Sequence, residues 1–139
     1  QNLYFTDIGR VAVVNINQPK QMRRDLIKRD QIFGLAIDPN SGYLFYSTID
    51  RPAKIYRTFL DGTNETIIVQ RGLAMPYALA ADYASRRLYW ADAQLAKIQY
   101  SDYNGQNIVT LLTSGMAQPT SLQVYKYNLF YADARLGKV

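Results

Sequence analysis

The chain has 139 residues, of which 48% are hydrophobic and 19% charged, a balance typical of a folded, soluble protein and not of a disordered or membrane-spanning one. It carries 16 Lys and Arg residues against 11 Asp and Glu, which gives a net charge of +5. The absence of Cys excludes disulfides and cysteine-based zinc sites, and the absence of His removes the commonest general base. Because the chain begins at Gln1 without an initiator Met or a signal segment, we expect it to be a fragment.

The first predicted elements are two strands and a basic segment. LYFTD at 3–7 and VAVV at 11–14 are rich in the aromatic and β-branched residues that favour strands. The basic residues then peak in KQMRRDLIKR at 20–29. This peak has two interpretations, an anion-binding patch or a solvated outer strand whose charge resists edge-to-edge pairing, and the second is favoured.

The aromatic strand recurs along the chain. An apolar, aromatic, aromatic, small, polar pattern is shared by LYFTD at 3–7, LFYST at 44–48, LYWAD at 88–92 and LFYAD at 129–133. The leading Leu residues are separated by 41, 44 and 41 residues. This period matches a four-stranded propeller blade of roughly 40 to 45 residues, with helical solenoids as the rival architecture.

The segments around each aromatic strand favour strands over helices. Short apolar runs, too short and too regularly punctuated for helices, precede the later copies at 33–38, 77–82 and 120–125. Third strands are predicted at 54–59 and 97–100, and fourth strands at 66–69 and 108–111. Asp61-Gly62 and Asn104-Gly105 are the hairpin signals that join them.

The repeats predict an all-β chain of about three four-stranded blades plus partial blades at the ends. A single blade exposes two apolar faces, so neighbouring blades must stack around an axis to bury them. The chain starts within a second strand and is expected to end within a third strand at 137–139. The ring must therefore be completed by further chain or by a partner.

The aromatic motif resembles the Tyr-Trp-Thr-Asp (YWTD) repeat of the low-density-lipoprotein receptor family, also called class B repeats. LYWAD at 88–92 is the closest copy, and GLAIDP at 34–39 and LDGTN at 60–64 resemble the family's other phrases. The resemblance implies that residues 1–139 are a fragment of one six-bladed β-propeller domain in an extracellular receptor or matrix protein. It also implies neighbouring epidermal-growth-factor-like (EGF-like) modules and neither a cofactor nor a metal.

The motif positions are interpreted as structural. They are Tyr4, Asp7, Phe45, Tyr89, Trp90, Asp92, Phe130 and Asp133. Large aromatic rings in strands mainly fill the space between sheets, and one Asp per blade at a fixed offset is typical of a recurrent structural hydrogen bond. Two copies depart from the pattern, because Thr48 replaces the motif Asp, with Asp50 close by, and Tyr125 replaces an inner-strand Asp.

Ligand binding is expected on the loops that join strand two to three and strand four to the next strand one, since a propeller places both sets on one face. The candidate residues there are Arg10, Arg51, Arg71, Met75, Tyr77, Met116 and Arg135. Together they would suit a protein with acidic and apolar contacts, although each alone is also compatible with ordinary surface. Asn64-Glu65-Thr66 satisfies the N-glycosylation pattern at an exposed hairpin end.

Three functions fit these observations. The leading one is a non-catalytic, protein-binding module in the ectodomain of an endocytic or signalling receptor. Its expected partners are a protein ligand, neighbouring EGF-like or ligand-binding modules and the remaining blades. No nucleic acid is expected as a partner. Attachment to a membrane is expected only through a segment outside these residues. The alternatives are a secreted, nidogen-like matrix or adhesion propeller and, less favoured, a calcium-dependent propeller hydrolase. Without His, binding by these blades is predicted to change little between neutral and mildly acidic pH.

Overall fold

The computed structural model describes residues 1–7, 9–18, 20 and 22–135, and every regular element in these ranges is a β-strand. The strands are β1 Asn2–Asp7, β2 Arg10–Asn15, β3 Arg24–Lys28, β4 Ile32–Asp38, β5 Tyr43–Thr48, β6 Lys54–Phe59, β7 Thr66–Val69, β8 Pro76–Asp82, β9 Arg87–Asp92, β10 Lys97–Asp102, β11 Val109–Leu112, β12 Pro119–Tyr125 and β13 Asn128–Asp133. Within the same ranges there is no helix long and apolar enough to cross a membrane. The predicted third strand at 137–139 lies outside the described residues.

The strands form four antiparallel sheets, which we number as blades one to four in chain order. Their strand orders are β1-β2-β3, β4-β5-β6-β7, β8-β9-β10-β11 and β12-β13. Blades two and three are complete four-stranded meanders, while blade one has strands two to four and blade four has strands one and two. The all-β, partial-propeller prediction is confirmed, and the strand bounds differ from the predicted ones by about one residue.

The basic peak of the sequence contains an outer strand. β3 pairs only with β2 within the described part of the chain, and ion pairs join Asp25 of this strand and the preceding Arg23 to neighbouring strands. Arg23 contacts Asp7 at 2.7 Å and Asp25 at 3.1 Å, and Arg10 contacts Asp25 at 3.2 Å. These pairs favour the outer-strand interpretation over an anion-binding patch.

The core lies in layers between neighbouring blades, because successive side chains of a strand point to opposite faces of its sheet. Leu44 and Tyr46 of β5 pack towards blade one, with Val11 and Ile27. Phe45, the residue between them, packs towards blade three in a cluster that contains Leu79, Leu88 and Trp90. A third cluster joins blades three and four through Ala80, Ala91, Ile98 and Leu122. This arrangement explains why the aromatic strands are apolar on both faces.

Hairpin glycines bring each blade against the outer strand of the blade before it. A Cβ atom on Gly62 would lie 2.8 Å from the carbonyl oxygen of Leu26 in β3. A Cβ atom on Gly105 would lie 1.8 Å from the carbonyl oxygen of Ile68 in β7. The glycines of the Asp-Gly and Asn-Gly signals are therefore required by packing between blades as well as by turn geometry.

Candidate functional site

The candidate site is the end of the propeller where the inner strands begin, which we call the loop face. Antiparallel register places the end of β5 beside the start of β4, with Thr48 opposite Ile32, and the end of β9 beside the start of β8. The loops after strand two therefore lie next to the links that enter strand one. The described parts of the loop face are the links 29–31, 70–75 and 113–118, the loops 49–53, 93–96 and 134–135, and Gly9.

The motif Asp residues hold these loops in place. Asp92 is fully buried and accepts hydrogen bonds from the backbone N–H groups of Ala74 (2.8 Å) and Met75 (3.1 Å) in the incoming link. The same carboxylate accepts the N–H groups of Gln94 and Leu95 in the outgoing loop. Asp133 binds Ala117, Gln118 and Arg135 in the same manner. In blades three and four, one carboxylate thus ties a link and a loop into a rigid unit.

Blade two is built differently at this position. Thr48 stands in place of the motif Asp, is fully buried, and its Oγ1 has no hydrogen-bond partner among the described residues. The link into this blade has three residues instead of six and enters β4 through Gln31 at a φ of +60°. Asp50 does not take over the motif role, because its buried Oδ1 atom likewise has no partner in the described structure.

Five of the seven predicted binding residues lie directly on the loops or links of this face: Arg51, Arg71, Met75, Met116 and Arg135. Arg51, Arg71 and Arg135 are exposed, and Met75 is half-buried. Arg51 and Met75 line a cleft of about 390 Å³ between the 49–53 loop and the 70–75 link. The structure thus places part of the predicted basic and apolar set together around one cleft.

Three of the seven predicted residues, including Met116 of the 113–118 link, have structural contacts. Arg10 opens β2 and forms the ion pair with Asp25. Met116 packs against the cluster between blades three and four. Tyr77 lies at the start of inner strand β8 and stacks on Phe33, with ring centroids 4.9 Å apart and an interplanar angle of 28°.

Phe33 is a surface residue that the predicted set omitted. It occupies in β4 the position that Tyr77 occupies in β8, and it remains 46% exposed. β4 and β8 are the inner strands and pack side by side, so the Phe33–Tyr77 pair lies towards the propeller axis. The signal for it was present in the sequence, as an aromatic residue at the same repeat position as Tyr77.

Arg29, which ends the basic peak, connects blades one and two. Its guanidinium contacts Glu65 at 2.9 Å, donates to the hydroxyl of Tyr46 at 3.2 Å and lies 4.6 Å from the ring centroid of Tyr56. The Tyr46 hydroxyl also donates to Glu65. Burial and the neighbouring Glu65 carboxylate raise the pKa of Tyr46 far above its usual value. The one Glu of the chain is thus part of a contact between blades.

The opposite end of the propeller carries a buried carboxylate with a different role. Asp38 accepts hydrogen bonds from the hydroxyls of Ser41 (2.7 Å) and Tyr103 (2.9 Å), and from the backbone N–H groups of Asn40 and Ser41. Burial acts to raise the pKa of Asp38, but these hydrogen bonds outweigh it and hold the pKa below its usual range. Tyr103 belongs to blade three, so the bond joins two blades.

The described residues contain no group of three or more His, Cys, Asp or Glu side chains that is arranged to hold a metal ion. The carboxylates of the loop face instead bind backbone N–H groups, as at Asp92 and Asp133. The site therefore offers cationic, aromatic and thioether groups on rigid loops.

The chain is similar in sequence to one protein family and to several receptors. Residues 86–125 match the family described as low-density lipoprotein receptor repeat class B. The chain is 36% identical over 106 residues to low-density lipoprotein receptor-related protein 5 of Mus musculus, which covers 76% of this chain and 7% of that protein. It is 28% identical over 135 residues to the vitellogenin receptor Yl of Drosophila melanogaster, covering 96% of this chain and 7% of the receptor. The chain thus spans a small fraction of these curated relatives.

Two solved structures superpose on this chain and have the same fold. A chain in the crystal structure of a nidogen/laminin complex superposes with a TM-score of 0.85 at 27% identity, covering 96% of this chain and 52% of that one. A gluconolactonase from Xanthomonas campestris superposes with a TM-score of 0.74 at 15% identity, covering 89% of this chain and 41% of that one. At that identity the second likeness shows the propeller fold alone.

Proposed function

Because this chain belongs to the class B repeat β-propellers of the low-density-lipoprotein receptor family, we propose that it is part of a non-catalytic, protein-binding module in the ectodomain of an endocytic or signalling receptor. Residues 1–139 are one piece of a single propeller domain, and further blades complete its ring. EGF-like or ligand-binding modules of the same receptor are its expected neighbours. Its relatives include receptors, which supports this choice.

The observation that carries the proposal is the composition of the loop face. Exposed Arg51 and half-buried Met75 line one cleft, and exposed Arg71 lies on the same link as Met75. Nearer the axis, the exposed Phe33 ring stacks on Tyr77. Arg, aromatic and Met side chains are enriched at protein interfaces, and the hydrogen bonds of Asp92 hold the intervening link rigid. A rigid surface loses little conformational entropy on binding, so it suits recognition of a folded partner.

A nidogen-like matrix or adhesion propeller is the second candidate, supported by the superposition on the nidogen/laminin complex. In this alternative the same face holds another matrix protein, and the whole protein is secreted. A propeller hydrolase is less well supported, because the chain has no His and a single Glu, and Glu65 is engaged with Arg29. Both receptor and matrix candidates place the chain outside the cell.

Site-specific photo-crosslinking tests the proposed face whatever the identity of the partner. A photoreactive benzoylphenylalanine is introduced into the complete protein at position 33 on the loop face or at position 127 on the opposite end. Phe33 is 46% exposed and Tyr127 is fully exposed, so the two probes replace aromatic side chains that are both accessible. We expect one extracellular protein to be crosslinked from position 33 and not from position 127.

A second part of this experiment reverses the charge of single residues on the loop face. Arg51→Glu and Arg71→Glu are expected to reduce the crosslink from position 33 at least about tenfold, while Lys126→Glu, on the opposite end, leaves it unchanged. Equal crosslinking from both positions, or a yield indifferent to Arg51 and Arg71, would contradict the proposal. Recovery of the crosslinked protein from the membrane fraction favours the receptor candidate, and recovery from the secreted fraction favours the matrix candidate.

A further inference from the structure

We propose that the cleft beside Asp50 receives a lysine or arginine side chain of the protein partner, with the Asp50 carboxylate as its counter-ion. This inference rests on the proposed protein-binding function and adds the chemistry of one contact to it. The cleft measures about 390 Å³, and Asp50 is the acidic side chain in its lining. The partner would therefore present at least one basic residue to a face that is otherwise basic.

The cleft is assembled from three segments of blades two and three. The 49–53 loop of blade two forms one wall, and Leu73, Ala74 and Met75 of the link form the other. Gln94 of the blade-three loop closes the remaining side. Because Asp92 binds both the link and the Gln94 N–H, the wall opposite Asp50 is held in a fixed position.

Several backbone groups of the opposite wall already form hydrogen bonds. Asp92 accepts four backbone N–H groups, those of Ala74, Met75, Gln94 and Leu95. The carbonyl oxygen of Met75 accepts the N–H groups of Tyr77 and Ala93. No comparable bond satisfies Asp50, whose Oδ1 atom is buried and has no partner within the described residues. Asp50 is thus a charged acceptor of this cleft that forms no such bond.

A buried carboxylate oxygen without a hydrogen bond is unfavourable, because it has lost water and gained nothing in return. The adjacent Arg51 forms no ion pair with it in the described structure, since its side chain is exposed to solvent. An ammonium or guanidinium group from outside would supply the missing charge-assisted hydrogen bond.

The surroundings of Asp50 give this contact a role in specificity. Arg51 and Arg71 attract acidic groups of a partner, and a uniformly acidic surface would be repelled at Asp50. A partner with one basic residue among acidic ones satisfies both requirements. The Asp50 carboxylate of the cleft therefore helps to set the register of the partner on the loop face, because like-charge repulsion disfavours alternatives.

The test uses the complete protein labelled with ¹³C in its methionine methyl groups, with N-acetyl-arginine amide as the probe. The Met75 signal, assigned with Met75→Leu, reports on the cleft, and the Met116 signal, from a residue packed between blades three and four, is the internal reference. We expect a saturable shift of the Met75 signal with the arginine probe. N-acetyl-citrulline amide, which has nearly the same shape but no charge, is expected to leave that signal unchanged.

Asp50→Asn is the decisive variant, and Asp30→Asn is its matched control. Both remove one negative charge from the loop face, but Asp30 is exposed on the 29–31 link and does not line the cleft. Asp50→Asn is expected to weaken probe binding at least about tenfold, and Asp30→Asn by less than about twofold. Because Asp50 has no hydrogen bond or ion pair to lose among the described residues, the thermal unfolding midpoint of Asp50→Asn is expected to stay equal or rise, which shows that the variant is folded.

The inference is overturned if the Met75 signal does not move, if citrulline moves it equally, or if Asp50→Asn binds the arginine probe as the unaltered protein does. These outcomes are separate from failure of the protein-binding proposal, since the probe needs no partner. A crosslink from position 33 that depends on Arg51 and Arg71, together with no probe binding at Asp50, would retain the function and reject the cleft.

Discussion

The carboxylate of Asp92 accepts a 2.8 Å hydrogen bond from the backbone N–H of Ala74, which lies 18 residues earlier in the chain and in the link from the preceding blade. This bond and the one to Met75 explain why an acidic residue ends the aromatic strand of blade three. Asp133 repeats the arrangement at Ala117 in blade four. In blades three and four the motif Asp is thus a cap for the link that enters its own blade.

Asp92→Ala is expected to lower the free energy of unfolding by about 3 to 5 kcal/mol, because four backbone N–H groups lose their acceptor in a buried site. Urea unfolding of the complete protein measures this loss. Asp30→Ala, an exposed residue of the loop face, is the control and should stay within about 0.5 kcal/mol. A loss below about 1 kcal/mol for Asp92→Ala would show that the link is held by other contacts.

Removing the polar group of Thr48 should not destabilise the protein, in contrast to removing that of Asp92. Its buried Oγ1 has no partner among the described residues, so Thr48→Val is expected to leave stability unchanged or to raise it by up to about 1 kcal/mol. Thr48→Asp, which restores the motif, is expected to cost about 3 kcal/mol, because the short link leaves a buried carboxylate unpaired. Urea unfolding measures the stability of both variants. A Thr48→Asp variant that is more stable than the unaltered protein would contradict the prediction.

The hairpin glycine of blade three gives a test of packing between blades. Gly105 and Gly115 have nearly equal φ angles, +76° and +74°, but a Cβ on Gly105 meets the Ile68 carbonyl while one on Gly115 has no atom within 4 Å. Gly115→Ala is expected to cost about 1 to 2 kcal/mol from backbone strain alone. Gly105→Ala should cost about 2 kcal/mol more. Equal unfolding midpoints for the two variants would argue against the close approach of the blades.

Asp38 should make the free energy of unfolding depend on pH in the acidic range. Its pKa is depressed in the folded state, so it stabilises the protein above the unfolded pKa of about 3.9, and this contribution is lost as pH falls through the lower folded pKa. Tyr103→Phe removes one hydrogen bond to this carboxylate and is expected to cost about 1.5 to 3 kcal/mol at pH 7. The deficit should be constant from pH 7 to 5 and shrink below about pH 4.

Differences between this variant and the unaltered protein, measured at each pH by urea unfolding, cancel the titration of groups elsewhere. Tyr127→Phe, which alters a fully exposed hydroxyl, is the control and should show no deficit at any pH. A Tyr103→Phe deficit that grows on acidification would contradict the assigned direction.

Asn64 is expected to carry an N-linked glycan. It is exposed and has a φ of +55° in the hairpin of blade two, and Asn107 is also exposed with a φ of +55° in the hairpin of blade three. Both positions favour Asn for its tolerance of the left-handed conformation, but Thr66 completes the acceptor pattern only after Asn64. Peptide mass spectrometry after enzymatic deglycosylation should find Asn64 converted to Asp and Asn107 unchanged. Native material with only unmodified Asn64 would rule the modification out.

Much of the fold was predictable from the sequence because its determinants are local. Alternating side chains and turn residues such as Asp61-Gly62 define strands and hairpins within a few positions, and the period of the aromatic strand defines the blade. The loop face followed from the same order of strands. For Phe33 the repeat position alone was sufficient, although the predicted set did not use it.

Contacts between blades were decided only by the tertiary structure. The sequence by itself determined that each blade has four strands and that a motif Asp ends three of the four aromatic strands. It did not determine that Asp92 caps a link 18 residues away, that Arg29 pairs with Glu65 across 36 residues, or that Asp50 lies in a cleft without a partner. Such pairings depend on how neighbouring sheets are placed in space. A difference of three residues in the length of a link is enough to alter them, as in the 29–31 link that enters the blade of Thr48.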